Sequence, residues 1–111
     1  RGGLLGDPVR GERGVWFPKK KKEEAGPEIG RFVGIVIRMY FADHNPPHFH
    51  AFCGGREAQC GIEPIGLLDG GLPSRAVSMV VEWAALHQPE LMRNWHRLHS
   101  EQPVERIEPL G

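Results

Sequence analysis

The chain of 111 residues carries 14 Lys+Arg against 14 Asp+Glu, with 40% hydrophobic and 25% charged residues, for a formal net charge of zero. That is one domain with the composition of an ordinary soluble globular protein, and no apolar run approaches the roughly 20 residues needed to span a bilayer. Two cysteines without a paired CxxC exclude a cysteine-rich zinc module, and the absence of GxxxxGK, GxGxxG and GxSxG excludes the common phosphate-loop and nucleophile-elbow designs.

The first 27 residues, RGGLLGDPVRGERGVWFPKKKKEEAGP, are rich in Gly and Pro and show no hydrophobic period. They hold seven Lys+Arg against four acids, and every lysine of the chain lies in Lys19–Lys22. The remainder, 28–111, has seven arginines against ten acids, a net charge of −3, which argues against gripping nucleic acid by bulk charge. Residues 1–28 therefore read as a flexible or non-native N-terminal extension, and 29–111 as a single domain. The lysine run reads more simply as a solvated tail beside Glu23 and Glu24 than as a nucleic-acid or lipid patch. With no charged-then-apolar secretory pattern, the cytoplasm is the expected compartment, with reduced thiols at Cys53 and Cys60.

Arg31 to Phe41, RFVGIVIRMYF, is β-rich and alternates, so it is expected as one strand with Val33, Ile35, Ile37, Met39 and Phe41 on the core face. Arg38 and Tyr40 then point the other way. DHNPP breaks the strand: Asp43 and Asn45 can bond their own following amides and the prolines remove two donors, with Asn45–Pro46 and Pro46–Pro47 as candidates for a cis peptide. HFHAFC resumes as a strand, Gly54-Gly55 reads as a hairpin turn, and Arg56–Ile62 returns with Ala58, Cys60 and Ile62 on one face. Ile65–Leu68 is a further short extended piece. From Pro73 the period becomes helical, with Val77, Val80, Val81 and Ala84 as the apolar stripe. Pro89 starts a second helix or kinks the first, and Leu91, Met92, Trp95 and Leu98 continue to about Ser100. Val104–Ile107 reads as a last short strand. The order implies an α+β fold, a small antiparallel sheet of three to five strands packed by two consecutive C-terminal helices.

The densest chemistry is DHNPPHFH, Asp43 to His50. On an extended strand His48 and His50 point to one face about 7 Å apart at Cα, and two such imidazoles can converge on a divalent metal such as zinc, with His44 or Asp43 as a third ligand brought back by the Pro-Pro corner. An open fourth position would hold water for hydrolysis. The same residues also allow metal-free acid–base chemistry by His48 and His50, with Arg38 or Arg56 facing an anionic intermediate and Tyr40 assisting. The plainer alternative is that the imidazoles bond backbone groups and hold the corner. His87, His96 and His99 read as a solvated helix face, and Trp83 and Trp95 as core or interface.

RFVGIVIRMYFADHNPPHFHA, the Gly-Gly turn, LPSRAVSMVVEWAALHQPELMRNW and the closing RIEPL together resemble a small bacterial family catalogued as domain of unknown function number 4160, over about residues 29–110. The third-strand region AQCGIEPIGLLDGG is richer in Gly and Pro than the family pattern, which leaves its register open. The resemblance implies a neighbouring small gene in the manner of toxin–antitoxin pairs, hence a small protein partner and a nucleic-acid target as a further option. Two functions are therefore expected. One is an interaction module of such a pair, with a surface built by DHNPPHFH, Arg38 and Tyr40. The alternative is a small hydrolase or ribonuclease using the histidine cluster, with or without metal.

Overall fold

A computed structural model describes residues 26–110. The lysine run and the rest of the expected extension up to residue 25 lie outside the described residues. Five strands form one antiparallel meander in chain order: β1 (Glu28–Phe32), β2 (Ile35–Arg38), β3 (His48–Cys53), β4 (Arg56–Ile62) and β5 (Ile65–Asp69). Two helices follow, α1 (Ser74–Leu86) and α2 (Gln88–His99). The α+β architecture is the one the order of apolar periods implies.

The expected single strand over 31–41 is instead a hairpin. Val33 and Gly34 both take positive φ, +41° and +79°, which is the two-residue turn whose twist suits a right-handed strand pair. Phe32 then faces Ile35 across the turn, and both are buried. Ile35, Ile37 and Met39 keep their core face, but Val33 at the turn is 69% exposed and Phe41, beyond the end of β2, is 71% exposed. Gly54-Gly55 makes the second such turn, with φ +57° and +79°, and sets Cys53 opposite Arg56. The register left open at the third strand is resolved: β4 and β5 pair through Ile62 and Ile65, with one shift between Gln59 and Cys60.

The core lies on the face carrying Ile35, Ile37, Phe49, Ala51, Ala58, Cys60 and Ile62. Ala76, Val80, Trp83 and Ala84 of α1 and Leu91 of α2 close it. Each large apolar side chain buried there contributes roughly 1.5–3 kcal/mol. Trp83 is fully buried, with ring centroids 5.3 Å from Phe32 and 5.8 Å from Phe49. Gly30 makes room for it, since a Cβ there would stand 3.1 Å from the indole. Pro89 sits in the first turn of α2, where its missing N–H costs nothing, so the proline starts a new helix and does not kink the first.

The last expected strand does not form. Residues 102–110 have no strand pairing. Asn94, fully buried, clamps Glu105 by donating to its carbonyl and accepting its N–H, both at 2.8 Å. Trp83 Nε1 donates to the Glu108 carbonyl, and Ile107 N–H donates to Ile29 O. The segment is thus held beside β1 by side-chain anchors and one backbone bond to Ile29 and not by a ladder. Cys53 and Cys60 are free, and burial pushes the Cys60 thiol up.

Candidate metal centre

The alternation of β3 sends Phe49 and Ala51 to the core and His48, His50 and Phe52 to the opposite face. His50 lies between Arg38 of β2 and Gln59 of β4 in register. The loop after β2 folds back toward this face. Asp43 N–H donates to Tyr40 O at 3.1 Å, Asn45–Pro46 is cis, and Ile62 N–H donates to Pro47 O, fastening the end of the loop to β4.

This return delivers the Asp43 carboxylate to the histidines. Its Oδ2 stands 2.8 Å from His50 Nε2 and 3.2 Å from His48 Nε2. His48 Nδ1 lies 2.8 Å from Pro46 O. A carbonyl only accepts, so that nitrogen carries the proton and a neutral His48 presents the Nε2 lone pair toward Asp43. His50 faces carboxylates through both nitrogens, Nδ1 to Glu57 Oε2 at 2.6 Å and Nε2 to Asp43. A neutral imidazole has one N–H and satisfies only one of them. The remaining contact is met by a further proton, on the ring or on a carboxylate, or by a metal ion.

One atom each from Asp43, His48 and His50 lies within 4.8 Å of the other two, so the three form a cluster able to coordinate a divalent metal. Zinc bonds of 2.0–2.1 Å in a tetrahedron place donor atoms about 3.3 Å apart, close to the observed 2.8 and 3.2 Å. Both ring nitrogens left over already have acceptors, the Pro46 carbonyl and the Glu57 carboxylate. Ligating histidines commonly have such outer partners, which fix tautomer and ring angle.

Burial is uneven. His50 is 1% and His48 8% exposed, whereas the Asp43 side chain is 22% exposed. Tyr40 meets His50 edge-on at 4.5 Å, and the Trp95 ring lies 5.5 Å from His48. On the Asp43 side opens a cleft of about 320 Å³ lined by Asp43, His44, Asn45, Trp95, His96 and His99. His99 holds this wall, its Nε2 2.8 Å from the Asp43 carbonyl and its Nδ1 2.8 Å from the Trp95 carbonyl.

Of the residues singled out in the sequence, Asp43, His48 and His50 converge, and Tyr40 packs on them. His44 stands outside the cluster, exposed at the cleft, because the turn that returns Asp43 inward directs its neighbour outward. Arg38 is engaged elsewhere, donating to Gly26 O at 2.6 Å and lying 3.7 Å from Glu28, while its buried Nε has no partner among the described residues. Cys53 falls on the opposite parity of β3 from His50, which removes it from the site. Three contributors escaped the sequence reading: Glu57, Trp95 and His99. Glu57 was within reach, since the Gly54-Gly55 turn pairs Cys53 with Arg56 and so puts Glu57 on the face of His50. His99, read as solvated, bonds a residue 56 positions away, a contact for which the sequence carries no local signal.

A family model described as "Domain of unknown function (DUF4160)" matches residues 34–96, which span the whole histidine turn, Glu57 and Trp95. Neither the curated proteins nor the solved structures contain a significant match. Among the described residues no helix is long and apolar enough to cross a membrane. The matched region is more than half of the chain, and the chain belongs to the DUF4160 family.

Proposed function

We propose that this DUF4160 member is a hydrolase that holds one divalent metal ion, best matched by zinc, on Asp43, His48 and His50. The carrying observation is the pair of imidazoles whose Nδ1 atoms are already engaged, by Pro46 O and Glu57, while both Nε2 atoms face the one Asp43 oxygen. Structural zinc sites close around four protein ligands, whereas hydrolytic ones use three and leave a place for water. Here three ligands are available and the Asp43 side gives onto the cleft. When bound, the metal would supply a water acidified toward neutral pH. The protein's own share is to orient the rings through Pro46 and Glu57 and to keep solvent from them with Tyr40 and Trp95. In this reading His48 and His50 are ligands, not an acid–base pair, and Arg38 acts at most through its neighbour His50 in register.

A second reading, a module that binds a small protein in a toxin–antitoxin-like pair, draws on one observation. Phe41 is 71% exposed and borders a cleft of about 440 Å³ with Leu98 and Pro103. Such a partner would meet Phe41, Ala42 and His44, because Tyr40, His48 and His50 are buried and cannot form the expected surface.

Metal analysis of protein purified without chelators tests the main reading, wild type beside His48→Ala/His50→Ala and Asp43→Asn. A near-stoichiometric metal that disappears in the double variant, with ester or phosphoester turnover lost in Asp43→Asn, is expected. Wild type that takes up no metal when titrated would end the proposal.

A further inference from the structure

Resting on the metal-hydrolase reading, we infer that the substrate is a small phosphate monoester seated in the cleft beside Asp43, and not a nucleic-acid strand. The cleft lining is the starting point. Among the described residues His44, Asn45 and His96 supply imidazole and amide groups around Trp95, His99 being held by the Trp95 and Asp43 carbonyls, and the only carboxylate is that of Asp43, the candidate ligand. No aliphatic side chain and no other acid among the described residues lines it. A few N–H donors on His44, Asn45 and His96 beside a metal suit a compact oxyanion, whose oxygens accept from them on one side and meet the ion on the other. A volume near 320 Å³ lies at the small end of ligand sites, which run from about 300 to 1,000 Å³.

The charges of the described residues argue against a polyanion. Nucleic-acid sites need unpaired cations along the phosphate path. Among the described residues five of the seven arginines of 28–111 are already in ion pairs: Arg31, Arg38 and Arg106 with Glu28, Arg93 and Arg97 with Glu105. None of the seven lines the cleft. A single phosphoryl group, by contrast, needs only the ion and a few donors.

The reaction is hydrolysis. Water adds its oxygen to phosphorus, the P–O bond to the leaving group breaks, and the proton released by the water passes to the leaving oxygen. The products are an alcohol and inorganic phosphate, with no other reactant.

The test uses zinc-loaded protein with orthophosphate as binding probe, p-nitrophenyl phosphate and its bis-ester as substrates, and a single-stranded RNA oligonucleotide alongside. The monoester should turn over in preference to the diester, with RNA intact. In His44→Ala/His96→Ala, both exposed positions, the orthophosphate Kd and the monoester KM should rise about tenfold through loss of charge-assisted donors, with zinc content unchanged. RNA cleavage, salt-sensitive RNA binding tighter than orthophosphate, or an unchanged phosphate Kd in the variant would overturn the assignment. Zinc uptake without phosphate binding refutes the substrate class alone, whereas failure to take up zinc refutes the hydrolase reading beneath it.

Discussion

Glu57→Gln isolates the part of the centre that touches no metal. With a metal on Nε2, His50 Nδ1–H donates to the Glu57 carboxylate at 2.6 Å, a charge-assisted bond in a setting where His50 is 1% exposed. Such bonds contribute about 1.5–3 kcal/mol, against about 0.5–1.5 for a neutral one. Glutamine can still accept from Nδ1 through its amide oxygen, so the ring keeps its angle and loses only the charged share, about 1.4 kcal/mol. That corresponds to a roughly tenfold weaker metal complex, the lower bound of what changes to such outer partners cost. Glu57→Ala should lose nearer a hundredfold. Competition with a chromophoric chelator measures both constants, and circular dichroism of the metal-free forms separates weakened binding from a damaged fold. If Glu57→Gln binds metal as tightly as wild type while His50→Ala does not bind at all, Glu57 does not govern the ligand, and the outer-partner argument is wrong.

Two further outcomes concern stability. The Arg31 guanidinium bonded to Glu28, helped by Arg106 and opposed by desolvation, holds that carboxyl at about 2 rather than its ordinary 4.5. A folded value below the unfolded one gives stability that is complete above about pH 4.5 and lost as pH falls through about 2. Arg31 and Arg106 are 56% and 62% exposed, so solvent screening reduces the contribution to about 1 kcal/mol. Urea midpoints across that window should drop for wild type and flatten for Glu28→Gln; identical acid profiles would remove Glu28 from the account. Val33 is a β-branched residue at φ +41° in an exposed turn, a conformation that Asn or Gly adopts far more readily. Val33→Asn, which makes an Asn-Gly turn, should raise stability by about 0.5–1 kcal/mol, read as a higher urea midpoint at constant slope. An unchanged midpoint would mean the turn carries no strain.

That same valine shows where local reading fails. Alternation over Arg31–Phe41 continues smoothly through Val33-Gly34, and no Asn, Asp or Pro marks the turn, so a hairpin looks like one strand. The core face of Ile35, Ile37 and Met39 survived the error because all three follow the turn and alternate among themselves, whereas the two-residue turn inverts parity and puts Phe32 on their face, opposite Ile35. The last strand failed for another reason: four extended residues between prolines read as β, but the chain is held by Asn94, Trp83 and one bond to Ile29, not by a ladder. Glu57 was derivable from the glycine turn and register, whereas His44 looked equivalent to Asp43 until the turn gave them opposite directions.

The sequence alone determined what depends on period and punctuation. Strand alternation, helical spacing from Pro73, the glycine turn and the same-face placement of His48 and His50 all arise from interactions within a few residues, and each residue's neighbours in the chain suffice to state them. Only the tertiary structure decided which chemistry those residues share. Asp43 meets the histidines because a loop folds back over the sheet, and Trp95 and His99 complete the site because a helix some fifty residues further on packs beside it. Burial then matters as much as proximity, since a lone pair facing a carboxylate is tolerable in water and costly once His48 is only 8% exposed.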